Sequence, residues 1–152
     1  MKLILSLCFF ISIFCFSQEK EIIKIKEVGL QNQIKFKGIT SDLKKEMNNY
    51  SIYAMTSETE CFPMVLLEAL SVGMPVISYD APTGPKHILR NEEDSFLVPY
   101  KNLNIFVQKL KKLMQNENLR QEMGQKGAEN VKRFNIKIIM QQWEDLFKNL
   151  TS

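Results

Sequence analysis

The chain has 152 residues, 45% of them hydrophobic and 24% charged, with a formal net charge of +3. That is the length of one domain with enough apolar material for a core, which excludes an intrinsically disordered chain. The 20 basic and 17 acidic residues are evenly spread, which argues against a nucleic-acid partner; three cysteines and one histidine, His87, exclude a disulfide scaffold and a histidine-rich metal site.

Residues 1–17 stand apart. Lys2 gives a positive start, and the run from Leu3 to Phe16 is apolar apart from Ser6 and Ser12. Cys15 and Ser17 are small residues placed for a cut before Gln18. This is the layout of a secretory signal peptide, and the run is shorter than the ~20 residues that span a bilayer. A buried strand followed by a disrupted loop is the other reading of the segment. The expected organisation is therefore a signal-like or disrupted segment over 1–17 and one domain over 18–152.

From Gln18 onward short apolar runs alternate with amphipathic stretches. Ile22, Ile25 and Val28 predict a helix over 19–28, stopped at Gly29. The alternation in Gln33 to Lys37 predicts a strand. A short polar helix follows over 41–48, then a strand over 51–55. Residues 62–72 form a helix that is apolar almost all round and hence expected to be buried, with Pro63 in its first turn and Gly73 and Pro75 at its end. The run 76–79 is a buried strand, 80–84 a loop, 85–90 a short helix and 96–98 a strand. Helices over 103–115, 117–132 and 136–149 complete the chain. Lys109, Lys111 and Lys112 read as a solvated helix face. The alternation through residue 98 predicts an α/β fold, a parallel Rossmann-like sheet with helices on both faces.

The chemistry is concentrated in Thr56 to Gly84, TSETECFPMVLLEALSVGMPVISYDAPTG. Glu60 falls in the loop after a predicted strand, and Glu68 about a turn and a half into the next helix. Ligands of open parallel sheets bind outside the carboxyl ends of the strands. The segment Cys61-Phe62-Pro63-Met64 would present free amides there, and a helix N-terminus attracts phosphate. One carboxylate in the loop and one on the helix could then take hydroxyls on either side of a bound diphosphate. Glu68 lies inside VLLEAL, where a charge must be paired or bound. Composition alone reads Glu60 as a solvated loop residue, Cys61 as a small packing residue, Thr83 and Gly84 as turn formers, His87 as a surface histidine and Trp143 as a packing residue.

The stretch resembles the C-terminal half of retaining glycosyltransferases of the GT-B fold, family 4 type. That family carries two glutamates with seven residues between them in a pattern matched here by Glu60, Phe62, Pro63, Leu66, Leu67, Glu68, Ala69, Gly73, Pro75, Val76 and Ile77. The resemblance extends back through Val28 to Gly38 and forward through Phe96 to Pro99, Arg133, Phe134 and Trp143. It implies sugar transfer, with retention, from a nucleotide-diphosphate-sugar donor to a glycan, lipid or polysaccharide-precursor acceptor. Glu60 would be the catalytic-site carboxylate touching donor-sugar hydroxyls, and Glu68 would hold the ribose. Cys61, Phe62, Pro63 and Met64 would supply the amides for sugar and diphosphate, with Thr83 and Gly84 in the nucleotide loop. No metal or other cofactor is implied.

The departures carry expectations of their own. Cys61 stands where the family has glycine, which narrows the space beside the sugar; His87 stands where a glutamate often does. Ser95 replaces a turn glycine and is expected to strain that turn. The family's N-terminal half, and the strand and loop that open its C-terminal half, have no counterpart in the sequence. The resemblance therefore implies a truncated donor-binding half, completed by that N-terminal half in cis or in trans and inactive alone. The last helix, with Ile136, Ile139, Met140, Trp143 and Leu146 on one side, looks like the segment that crosses to it. The expected location is the cytoplasm, with peripheral membrane association. A non-catalytic or vestigial nucleotide- or sugar-binding module, exported through residues 1–17, is the alternative.

Overall fold

The computed structural model describes residues 3–5, 23–35 and 39–151. Four parallel strands form one sheet in sequence order: β1 (Leu3–Leu5), β2 (Ile52–Met55), β3 (Val76–Tyr79) and β4 (Ser95–Val98). The register pairs Leu3 with Ile52, Tyr53 with Val76 and Ile77 with Phe96. The helices are α1 (which includes residues 23–27), α2 (Leu43–Met47), α3 (Met64–Ser71), α4 (Pro85–Ile88), α5 (Leu103–Gln115), α6 (Glu117–Asn130) and α7 (Ile136–Thr151), with a 3-10 turn over Val131–Phe134 between the last two.

Side chains on a strand alternate between faces, and this alternation splits the core in two. Tyr53, Met55 and Val76 pack on one face with Met47, Leu66, Leu70 and Ile88. Ile52, Ala54, Ile77, Phe96 and Val98 pack on the other with Phe106, Leu113 and Met123. The first face is thus covered by α2, α3 and α4 and the second by α5 and α6, the three layers expected of a parallel sheet buried on both sides.

Glycines fix how α3 meets α6. Helix α3 ends in a Schellman turn: the Gly73 amide donates to the Leu70 carbonyl and the Met74 amide to the Ala69 carbonyl, with Gly73 at φ 69°. The carbonyl of Gly73 then lies against Gly124, where a Cβ would overlap it. One turn further along α6, Gly127 lies under Leu70. The expected glycine stop of the first helix is also present, since Gly29 has φ 72° and its neighbour Leu30 donates to the Ile25 carbonyl.

Several expectations are corrected. Residues 33–35 are not a strand: the Gln33 and Ile34 amides both donate back to the Leu30 carbonyl in a turn, while residues 36–38 lie outside the described ones. The proposed signal segment lies outside them too, apart from the backbone of Leu3–Leu5, as does the start of the helix expected over 19–28. Helix α3 begins two residues late, and it is not buried all round, with Met64 at 60% exposure. Ser95 is not strained. It lies in β4 and its hydroxyl donates to the Arg90 carbonyl, while the left-handed residue of that turn is Glu92 at φ 65°. Trp143 is not packed into a core: it is 51% exposed and stacks on Phe147, at 5.7 Å between ring centroids. Lys109 of the lysine cluster pairs with Glu92 at 2.6 Å and covers the Phe96 ring.

The backbone contact between α3 and α6 yields a graded prediction. Gly124→Ala drives a methyl group into a carbonyl that cannot rotate away, and a destabilisation of about 2–3 kcal/mol or more is expected. Gly127→Ala meets only the Leu70 Cδ2 at 2.8 Å, which a rotamer change relieves, so its effect is expected to be smaller. Urea unfolding midpoints of the two variants check the order.

Candidate functional site at the carboxyl edge of the sheet

Parallel strands send all their outgoing loops to one edge. Residues 56–63 leave β2, 80–84 leave β3 and 99–102 leave β4, and every candidate residue except Met64, the first of α3, and Glu68 lies in the first two. Glu68 is the fifth residue of α3, the helix that the first of these loops enters.

Side chains hold the β2–α3 loop in place. Among the described residues no backbone–backbone hydrogen bond involves residues 57–62. Instead Glu58 pairs with Lys101 of the β4–α5 loop at 3.2 Å. The hydrogen bond to Glu58 and its negative charge raise the Lys101 ammonium above the ordinary lysine value. Thr83 donates from its hydroxyl to the Glu60 carbonyl at 2.8 Å. Phe62 sets its ring edge-to-face on Phe134 at 5.8 Å, and Pro63 is buried. Phe134 is held in turn by Arg133, whose guanidinium lies 4.5 Å over the ring and donates to the carbonyls of Asn130 and Ile88. Burial, with Arg90 nearby, lowers that guanidinium below the usual arginine range.

The β3–α4 loop meets this one face to face. Thr83 has φ 72°, a rare backbone for a β-branched residue, and its hydroxyl also reaches the Pro82 carbonyl at 2.6 Å. Gly84 is buried, and a Cβ there would come within 2.8 Å of the Glu60 Cβ and 3.0 Å of the Pro63 Cδ. Thr83 and Gly84 therefore touch Glu60 itself.

Helix α3 starts without a side-chain cap. Pro63 occupies the N-cap, and among the described residues the Met64 and Val65 amides have no acceptor; the first amide to find one is Leu66, bonded to the Pro63 carbonyl at 2.9 Å. The two unanswered amides and the helix dipole make such an end attractive to anions. Glu60 and Glu68 are both half-buried, and among the described residues neither carboxylate has a hydrogen-bond or ion-pair partner. Glu60 is thus less solvated than composition predicts. Cys61 is exposed and free rather than packed, and His87 is exposed as expected. No group of three or more histidine, cysteine or acidic residues placed to hold a metal occurs among the described residues.

Three features of the edge are absent from the sequence reading. Glu58 and Lys101 belong to it, and Lys101 has φ 60°, which nothing in the tripeptide Tyr100-Lys101-Asn102 announces. The Phe62–Phe134 pair joins residues 72 positions apart, although both stand in the quoted motifs. Its expected strength is about 0.5–1.5 kcal/mol beyond burial. A double-mutant cycle of Phe62→Ala and Phe134→Ala, read by urea unfolding, is expected to return a coupling of that size.

Comparison with known proteins agrees with this geometry. A family model described as glycosyl transferases group 1 matches residues 17–130. An exopolysaccharide phosphotransferase of Streptomyces coelicolor is 36% identical over 129 residues, 84% of this chain and 14% of its own length. The amylovoran biosynthesis glycosyltransferase of Erwinia amylovora is 29% identical, covering 81% of this chain and 34% of its own. Among solved structures, Staphylococcus aureus TarM in complex with fondaparinux, alpha-GlcNAc-glycerol and UDP superposes with a TM-score of 0.80 at 25% identity, over 86% of this chain and 27% of that one. The chain thus spans about a third or less of the length of these relatives. Among the described residues no helix is long and apolar enough to cross a membrane.

Proposed function

Because the chain belongs to the glycosyl transferases group 1 family, we propose that it is the donor-binding half of a retaining glycosyltransferase, one that moves a hexosyl group from a nucleotide-diphosphate sugar to a glycan, lipid or polysaccharide-precursor acceptor. The observation that carries this reading is the pairing of an uncapped helix N-terminus with two unpartnered, half-buried carboxylates at the carboxyl edge of the sheet. A nucleotide sugar is an anion flanked by two polyols. The Met64 and Val65 amides suit the diphosphate, and the dipole of α3 stabilises the charge that builds on it as the glycosidic bond breaks. Glu60, in the loop ahead of the helix, accepts from donor-sugar hydroxyls close to the reacting carbon. Glu68, on the body of α3, accepts from the ribose hydroxyls.

Each carboxylate then regains through the ligand the hydrogen bonds it lacks in the free protein, which offsets the cost of its partial burial. Cys61 narrows the space beside the sugar and biases donor choice. No covalent nucleophile and no bound metal enter this scheme. That TarM was solved with UDP supports a uridine nucleotide as the first probe.

The acceptor and the remaining catalytic groups belong to the N-terminal half, joined in cis or supplied in trans, so transfer by this chain alone is not expected. The exposed apolar side of α7, from Ile136 at 69% to Leu150 at 73%, suits the surface on which that half closes. The setting proposed is the cytoplasmic face of the membrane, where nucleotide sugars are made.

Titration calorimetry with UDP and a UDP-sugar tests the roles separately. Glu68→Ala is expected to weaken both ligands by about tenfold or more, the value of one hydrogen bond to a charged group. Glu60→Ala is expected to spare UDP and remove the added affinity of the sugar. Chelation with EDTA is expected to change neither. Wild-type affinity in both variants would overturn the reading.

A further inference from the structure

We propose that the Thr83–Gly84 turn is the positioning element of Glu60, setting where its carboxylate stands without touching the donor. The inference rests on the reading of Glu60 as the donor-sugar carboxylate, and it moves Thr83 and Gly84 from ligand contacts to supports.

Three observations converge on it. The segment 57–62 has no backbone–backbone hydrogen bond among the described residues, so its path is decided by what leans on it. At Glu60 that is the β3–α4 turn: Gly84 leaves no room for a Cβ, which would meet the Glu60 Cβ at 2.8 Å, the Glu60 carbonyl oxygen at 2.9 Å and the Pro63 Cδ at 3.0 Å. The Thr83 hydroxyl proton is shared between the Glu60 carbonyl at 2.8 Å and its neighbour Pro82 at 2.6 Å.

Thr83 reaches that position only by adopting φ 72°, a conformation that a β-branched residue keeps only where its surroundings enforce it. The Glu60 carboxylate itself has no hydrogen-bond or ion-pair partner among the described residues, so its backbone is what the protein holds. Both ends of this support are short. An added methyl at residue 84, or a lost hydroxyl at residue 83, therefore moves Glu60 while leaving α3 beyond its first turn, Glu68 included, where it is.

The test uses nitrogen-15 relaxation on the whole chain, with Thr83→Val, Thr83→Ser and Gly84→Ala. Thr83→Val and Gly84→Ala are expected to shift and loosen the amides of residues 57–62 and to leave those of β3 and of α3 beyond its first turn unchanged. Thr83→Ser, which keeps the hydroxyl, is expected to restore the wild-type pattern. Wild-type order and shifts at 57–62 in Thr83→Val would overturn the proposal even if Gly84→Ala fails to fold.

Binding of UDP and of UDP-N-acetylglucosamine supplies the second arm. Thr83→Val and Gly84→Ala are expected to lose about tenfold for the sugar nucleotide and less than twofold for UDP, and Thr83→Ser to bind both as wild type does. Loss of sugar affinity in Glu60→Ala but not in Thr83→Val would also overturn the proposal. If Glu60→Ala itself spares sugar affinity while 57–62 loosens in Thr83→Val, the role assigned to Glu60 fails and the mechanical support stands.

Discussion

A parallel pair of strands delivers its two outgoing loops to the same edge, and the loops must share the space between them. In this chain β2 and β3 are such a pair, held in register from Tyr53 opposite Val76 to Met55 opposite Ser78. The residues that follow them are close enough that only glycine fits at position 84. Everything proposed for the site depends on this crowding. The β2–α3 loop has no ladder of its own, and the side chains that meet it come from three different places: the β3–α4 turn, the β4–α5 loop and the 3-10 turn after α6. The loop is ordered by its neighbours.

The fold was legible where a hydrophobic period had clear punctuation. Val76 to Tyr79 is predicted and observed with identical bounds, because a short β-branched run sits between Gly73-Met74-Pro75 and Asp80. Helix α5 is likewise recovered from its amphipathic period. Residues 33–35 misled because alternation over a few residues is also compatible with a turn, and here the Leu30 carbonyl captures two amides. The reading of Ser95 erred in placing the left-handed residue: the turn places it at Glu92, and Asp94, fully buried, holds the loop by accepting from the Arg90 amide and from Asn130.

Of the candidate site, the placing of Glu60 in the loop after a strand and of Glu68 on the following helix could be read from the sequence, although that helix starts two residues later than read. Their supports could not. Lys101, Thr83 and Phe134 act through φ angles and long-range contacts that have no local signature in the sequence. Gly124 and Gly127 escaped notice for a different reason. Two glycines in a helical pattern ordinarily count against the helix, and their use here appears only when the end of α3 is brought against them.

The two ends of α3 are built on opposite principles. Its last turn is closed by two backbone hydrogen bonds and wedged, backbone to backbone, against α6; its first turn begins at a proline and leaves amides unanswered. The far end of this eight-residue helix is thus fixed by backbone, and the end that faces the loops is fixed by side chains alone: the buried Pro63 and, just before it, Phe62 against Phe134. Because the 3-10 turn that carries Phe134 continues directly from α6, the same helix that wedges the closed end of α3 also supplies the side chain that steadies its open end.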